Sequence, residues 1–242
     1  MGESLVDPFS TSARALKGYR RAARMLGPDL GGKRILDVGC GLGAGCWLLH
    51  KRGARVTGVD ISQDAIAWAR RTYSPEAAGT GRQLDFWAVD LLAQTGGGIG
   101  TFDALTLVDV LEHFAPREAA ELLARLRLLL RPSGQMFLHL PITANTLDWV
   151  LLAKNGLIPK RLHGRVLDHH GDPTHLVRYS VHSATRLLAA AGWETQQLEL
   201  RAYSPRLPRL ERAVRLDRWG LLARLQQQVV TDWDGIHTSR QV

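Results

Sequence analysis

The chain has 242 residues, 45% of them hydrophobic and 22% charged, the size and balance of one α/β domain, which excludes a disordered or collagen-like chain. Its formal net charge is +8, a balance that invites polyanionic partners. The only lysines are Lys17, Lys33, Lys51, Lys154 and Lys160. The other basic residues are arginines spread along the chain, so a generic basic surface is expected ahead of a nucleic-acid footprint. No apolar run approaches the roughly 18 residues of a membrane span. Residues 1–16 lack the basic-then-apolar block of a secretory signal. Two cysteines, Cys40 and Cys46, are too few for a disulfide scaffold. A reducing, cytoplasmic setting is the expectation.

Residues 5–30 read as helix, with Leu16, Tyr19, Ala23 and Leu26 on the apolar face and Gly27-Pro28 as the stop. Residues 34–38 are a short apolar run before glycines, hence a buried strand. Residues 45–51 open a helix that Gly53 closes. A second strand follows at 55–59, and Ser62 caps a helix reaching to about residue 73. The third strand is expected at 86–89, a glycine loop at 96–100 and the fourth strand at 102–108. Residues 116–130 form a strongly amphipathic helix, stopped by Arg131-Pro132-Ser133-Gly134. The fifth strand is placed at 135–140. Strands alternating with helices specify an α/β doubly wound, mostly parallel sheet.

After Pro141 the rhythm breaks. Residues 142–174 read as an insertion over the carboxyl edge of the sheet. A helix at 183–191 stops at Gly192, and 193–203 looks like half of a closing antiparallel pair. Residues 204–242 read as a basic, Leu-rich helical extension. There Arg206, Arg209, Arg212, Arg215 and Arg218 fan across about 240° of a helix, too broad for one basic stripe. The whole of 1–242 is expected to be one domain, with 1–30 as an N-terminal helical segment.

The strongest local signal is Asp37-Val38-Gly39-Cys40-Gly41-Leu42-Gly43, directly after the first strand. Its glycines let the backbone turn sharply and approach a ligand. A loop feeding a helix N-terminus at a sheet edge is a ligand crevice. Asp60 ends the second strand at the spacing expected of an acid that holds ribose hydroxyls. On paper, Gly39, Gly41 and Ala44 also satisfy a dinucleotide fingerprint. Asp37 weighs against it, because a carboxylate beside the loop repels pyrophosphate. It suits S-adenosylmethionine, which carries an ammonium, a sulfonium and a ribose but no phosphate. The attraction is on the order of 1 to 4 kcal/mol in partly solvated surroundings.

Together these stretches resemble the class I, Rossmann-like S-adenosylmethionine-dependent methyltransferases. The similarity is to the small-molecule branch that includes ubiquinone-biosynthesis O-methyltransferases. The matching stretches run in order: 35–43, Val59-Asp60-Ile61-Ser62, Val89-Asp90-Leu91, Phe102-Asp103-Ala104, Asp109-Val110-Leu111-Glu112-His113 and Leu130-Arg131-Pro132-Ser133-Gly134. The match is good over 33–140 and loose over 175–200. The resemblance implies a seven-stranded sheet and S-adenosylmethionine as cofactor, with S-adenosylhomocysteine as product. It also implies roles for matching positions. Gly39 and Gly41 would pack on the methionine part, and Asp37 would sit near its ammonium, directly or through water. Asp60 would take the ribose hydroxyls and Ile61 would lie against adenine. Asp90 would accept from the adenine amino group, with Leu91 on its face. Val108 or Asp109 would offer backbone. For Asp60 and Asp90 the plainer alternative is helix capping.

A hydroxyl acceptor must lose a proton, which a histidine near neutral pKa can take. His113, just after the fourth strand, is the first candidate base, with a structural histidine as the alternative. His163, His169, His170 and His175 cluster with Asp168 and Asp172 but lack a definite ligand spacing, so no metal site is expected. A loop covering the pocket is preferred there, with His175 as second base. The fourth strand carries neither the Asn/Asp-Pro-Pro-aromatic motif of amino-group methylation nor a Pro-Cys nucleophile. Residues 147–165 mix apolar and basic character. They read as an active-site cover, with a surface helix reaching a membrane as the second reading. The expectation is methyl transfer to a small-molecule acceptor, most simply at oxygen. The alternatives are an RNA methyltransferase, a non-catalytic cofactor-binding module and an NAD-dependent oxidoreductase, the last disfavoured by Asp37.

Overall fold

The structure is a computed structural model, and it describes residues 13–93, 98–141, 176–177, 179–202 and 230–239. Short β-branched and apolar runs set the parallel strands: β1 (Arg34–Val38), β2 (Arg55–Asp60), β3 (Leu84–Ala88) and β4 (Phe102–Val108). β1, β2 and β4 are buried on both faces, as parallel strands under crossover helices must be, whereas the edge strand β3 leaves Trp87 and Ala88 exposed. α1 (Ala13–Met25) precedes these strands, α2 (Ala44–Lys51) and α3 (Gln63–Ala78) lie between the first three, and α4 (Pro116–Leu128) follows β4. The Ser62 hydroxyl accepts from the Ala65 N–H and starts α3 as expected.

Among the described residues seven strands form one sheet in the order β3-β2-β1-β4-β5-β7-β6, where β5 is Leu130–Pro141, β6 is Trp193–Ala202 and β7 is Val230–Ser239. The first five are parallel. β7 runs antiparallel between β5 and β6. The mostly parallel, seven-stranded, doubly wound sheet is therefore as expected.

Several boundaries differ from the sequence reading, α3 for one running on to Ala78, and three of the differences bear on the sheet. The third strand starts at Leu84, two residues earlier, because Leu84 and Phe86 both point into the core. β5 starts at Leu130, which pairs with Phe102. Residues 131–134 bulge before Gln135 pairs with Ala104, with Ser133 at φ 65° absorbing the turn. The third difference is the largest. Residues 230–239, read as part of a helical extension, are a strand inserted beside β5. The insertion 142–174 and the tail 203–229 lie outside the described residues.

Two apolar clusters cover the two faces. One gathers α4, α5 (Val181–Ala190), Trp193 and Trp233. The Trp193 indole N–H donates to the Leu123 carbonyl at 3.0 Å and ties β6 to α4. The other cluster gathers α1, α2 and α3 with Phe86, Phe137 and Ile236. There the Tyr19 ring lies on the backbone of Gly45 so closely that a Cβ would overlap it. Ala at a helix position gains about 1 kcal/mol over Gly in propensity, while overpacking costs about 1 to 3 kcal/mol. Gly45→Ala is therefore expected to be net destabilising, read as a lower urea midpoint with an unchanged slope; a rise would show that the α1–α2 contact is loose.

Candidate functional site

Parallel strands put their carboxyl ends on one edge, and the order reverses between β1 and β4, so a crevice opens there. The glycine loop leaves β1 at this point. Gly39 and Cys40 donate their N–H groups to the Val59 carbonyl at 2.8 and 3.0 Å, which lashes the loop to β2. Gly39 has φ 68°, and a Cβ there would stand 2.7 Å from Val110 Cγ2. The loop thus touches the turn after β4. Gly41 has φ 51°, and a Cβ on it would meet nothing within 4 Å. The loop backbone is open toward the crevice at that residue.

Asp60 closes the other side. Its Oδ2 accepts from the Gly41 N–H at 2.8 Å and its Oδ1 from the Ser62 N–H at 2.9 Å. Each carboxylate oxygen retains a second lone pair for a hydroxyl donor. The next residue, Ile61, is 72% exposed and offers an apolar face beside that carboxylate. The Val89 N–H donates to the Asp60 carbonyl, which brings Asp90 to the same edge. Asp90 Oδ1 accepts from the Leu92 and Ala93 N–H groups. Neither acid is a helix cap: Ser62 caps α3, Asp60 braces the turn before it, and the described residues after Asp90 are a turn; each carboxylate keeps further acceptor capacity. Leu91 is buried in the core beside α4, so its side chain is turned inward, away from the exposed face that Ile61 presents.

Asp37 is the residue whose surroundings sequence reasoning missed. It is fully buried. Its Oδ2 accepts from the Tyr19 hydroxyl at 2.9 Å and the Cys46 thiol at 3.1 Å, and its Oδ1 from the Thr106 hydroxyl at 2.6 Å. A carboxylate so enclosed has both oxygens turned to these three donors and braces the foot of the glycine loop. Burial pushes its pKa from 3.8 up to about 6, against the pull of the three donors. Burial likewise pushes the Tyr19 phenol and the Cys46 thiol well above their ordinary values, so both remain donors at neutral pH. A Tyr and a Thr at these positions carry no sequence signal, since both read as ordinary core residues.

Val108 is buried, and its Cγ1 lies where a Cβ on Gly18 would be, at 2.8 Å. Its side chain is thus given to α1, and only its backbone faces the edge. Asp109 follows at φ 55°, in the left-handed region. His113 ends a 3-10 turn (Leu111–His113) and is exposed. The Leu176 and Val177 N–H groups donate to the Glu112 carbonyl at 2.8 and 3.1 Å, so the returning chain is seated on this turn. His175 and the histidine-rich stretch before it lie outside the described residues. Among the described residues no group of three or more His, Cys, Asp and Glu is arranged to hold a metal ion. No described helix is long and apolar enough to cross a membrane.

Asp37 sets a pH test. Its folded pKa lies above its unfolded value, so between about pH 4 and pH 6 the native state binds the extra proton. Stability contributed at this site is therefore highest below pH 4, falls through the window and is level above it. The unfolding free energy of the wild type relative to Asp37→Asn is expected to fall from pH 4 to pH 6. A difference that stays flat would place the titration elsewhere.

Residues 12–198 match the family described as a methyltransferase domain. The chain is 30% identical over 181 residues to a ubiquinone biosynthesis O-methyltransferase of Aromatoleum aromaticum, covering 73% of this chain and 70% of that protein. It is 32% identical over 138 residues to the protein of that name from Idiomarina loihiensis, covering 54% of each. The chain thus spans about half the length of some of the relatives it matches. Among solved structures it resembles the magnesium protoporphyrin IX methyltransferase of Synechocystis with bound S-adenosylhomocysteine. The TM-score is 0.62 and the identity 19%, over 93% of this chain and 83% of that one, a likeness of fold. With the sheet order, the glycine loop and the sequence match in agreement, the chain belongs to the methyltransferase domain family.

Proposed function

We propose that the protein transfers a methyl group from S-adenosylmethionine to an oxygen of a small-molecule acceptor. The observation that carries this is the open glycine cradle at Gly41 closed by the Asp60 carboxylate at the carboxyl edge. The cradle fits a ligand with a ribose and an apolar base: Asp60 retains acceptor capacity for hydroxyls, and Ile61 offers a face for the base. Asp37 beneath the loop weighs against a pyrophosphate there. The names of the sequence relatives support oxygen as the accepting atom and a small molecule as acceptor.

In this reading Gly39 and Gly41 carry the amino-acid part, Asp60 the ribose, and Ile61 and Asp90 the adenine. Bound S-adenosylmethionine supplies an electrophilic methyl on a good leaving group. The protein's task is then alignment and exclusion of water. A hydroxyl acceptor must also be relieved of its proton. His113, exposed at the end of the turn after β4, is the proposed base, taking that proton on an imidazole nitrogen. His175, one residue before the segment seated on Glu112, is proposed as the second base. The histidine loop is proposed to act without a metal, and the cytoplasm as the setting.

The net positive charge does not require a nucleic acid. Arg21, Arg24 and Arg131 pair with carboxylates. Arg70 donates to the Phe86 carbonyl, Arg125 to the Leu91 carbonyl and Arg127 to Ser239. These six arginines have partners within the fold, so they do not by themselves form a polyanion site.

Calorimetric titration with S-adenosylhomocysteine is expected to give micromolar binding and NADH none; the reverse would return the loop to a dinucleotide. Asp60→Ala is expected to weaken that binding by about 1 to 3 kcal/mol, as the loss of a hydrogen bond to a charged group does. Unchanged affinity would sink the ribose role. Once an acceptor is found by screening, His113→Ala should lower kcat about 100-fold or more, and a normal rate would leave the histidine a structural one.

A further inference from the structure

A groove lies between α1, α2 and α3, and nothing in the reading above uses it. Its cavity volume is about 540 Å³, the size of a site for a drug-sized molecule. Leu16 and Arg20, one turn apart on α1, contribute one side. Trp47 and Lys51 of α2, with Arg52 at its end, contribute the second, and Tyr73 of α3 the third. Neither Gly39 and Gly41 nor Asp60, Asp90 or His113 lines it, so it is separate from the crevice at the carboxyl edge.

The apolar part of the groove is aromatic. The Trp47 and Tyr73 rings lie 5.6 Å apart at 21°, and both are half-buried, so each keeps surface for a ligand. The polar part is cationic. Arg20, Lys51 and Arg52 are exposed, and among the described residues none of them is ion-paired. Arg21 and Arg24, on the same helix as Arg20, both have carboxylate partners. Lys51 Nζ stands 5.7 Å from the centre of the Trp47 ring, a cation over an aromatic face. Glu76, which acts on the Tyr73 phenol from the next turn of α3, lies outside the lining. Lys51 and Arg52 suit the C-terminal end of α2, where the helix dipole favours cations. That accounts for two of the charges and leaves Arg20, from another helix, without a reason to be there. Three like charges around one groove repel one another, and an anion between them turns the repulsion into attraction.

We propose that this groove binds a small organic anion with a flat apolar body. Its carboxylate, sulfonate or phosphate lies between Arg20, Lys51 and Arg52, and its body rests against Leu16, Trp47 and Tyr73. The three cations select an anion, the ring pair selects a flat body, and the volume sets its size. Such a ligand touches three helices at once and binds only where they are assembled, so it stabilises the fold. Two of those helices supply Tyr19 and Cys46 to Asp37, so an occupied groove also braces the helices under the glycine loop. The proposal does not depend on which ligand the loop itself takes.

The test is a fluorescence titration of the full chain with two probes of similar shape. One is 1-anilinonaphthalene-8-sulfonate, an aromatic anion; the other is the uncharged N-phenyl-1-naphthylamine. The sulfonate is expected to bind about tenfold more tightly than the neutral probe and to raise Tm, with and without excess S-adenosylhomocysteine. Arg20→Gln with Arg52→Gln should weaken the sulfonate about fivefold, and Lys51→Gln added to them about tenfold or more, as the loss of exposed ion pairs would. The neutral probe should stay within about twofold of wild type in each. These side chains are on the surface, so the variants fold, and Arg20→Lys with Arg52→Lys should keep the sulfonate affinity within about twofold. Sulfonate binding that the triple variant leaves unchanged would overturn the proposal, as would equal affinity for the two probes. Displacement of the dye by S-adenosylhomocysteine would put it in the crevice at the carboxyl edge and overturn the proposal too. A short oligouridine that binds more tightly than the sulfonate and is lost in the same variants would give the groove to a polynucleotide instead.

Discussion

The arrangement depends on one buried carboxylate. Asp37 sits on β1 with no solvent, and water can no longer supply its hydrogen bonds. Three elements must supply them: Tyr19 from α1, Cys46 from α2 and Thr106 from β4. Removing any one donor would leave part of a buried carboxylate unsatisfied, so the four elements are locked in register. The glycine loop starts two residues later. Its geometry is therefore set by polar contacts underneath it and by close packing at Gly45 and Gly39, where no side chain fits.

Function is laid over that base at the carboxyl edge. Parallel pairing brings Asp60, Asp90, Asp109 and the 3-10 turn to one side. The four carboxylates in or near the site are not equivalent. Asp37 is enclosed and structural. Asp60 and Asp90 are half-used by backbone N–H groups and keep acceptor capacity. Asp109 stands in the left-handed region after β4 with its side chain partly exposed. Shared fold does not carry these distinctions, since solved structures at 19% identity superpose on the sheet while performing their own chemistry. They come from what each side chain touches here.

Much of this was legible in the chain. The alternation of short apolar runs with amphipathic helices gave the doubly wound sheet. The glycine loop and Asp60 stood out because each needs a particular residue type at a particular distance along one crossover, and the resemblance added Asp90. Leu91 was placed near the ligand by the resemblance, and Asp37 by its charge, directly or through water. Their side chains proved to belong to the core, because neighbouring residues on a strand end face opposite ways and linear spacing does not say which face is wet.

What the sequence determined by itself is whatever local periodicity and local turns encode: strand order up to β5, the loop, the caps and the family. Residues 230–239 escaped it. Their run Thr231-Asp232-Trp233-Asp234-Gly235 reads as polar and irregular, yet Asp234 is buried at the heart of the sheet. A strand can carry an acid there only because Arg21, 213 positions away, and His139, 95 positions away, come to meet it. Charges so far apart along the chain leave no pattern in any window of sequence. Only the closure of β7 against β5 brings them together, and that closure decided both the last strand of the fold and the contacts of Asp234 with Arg21 and His139.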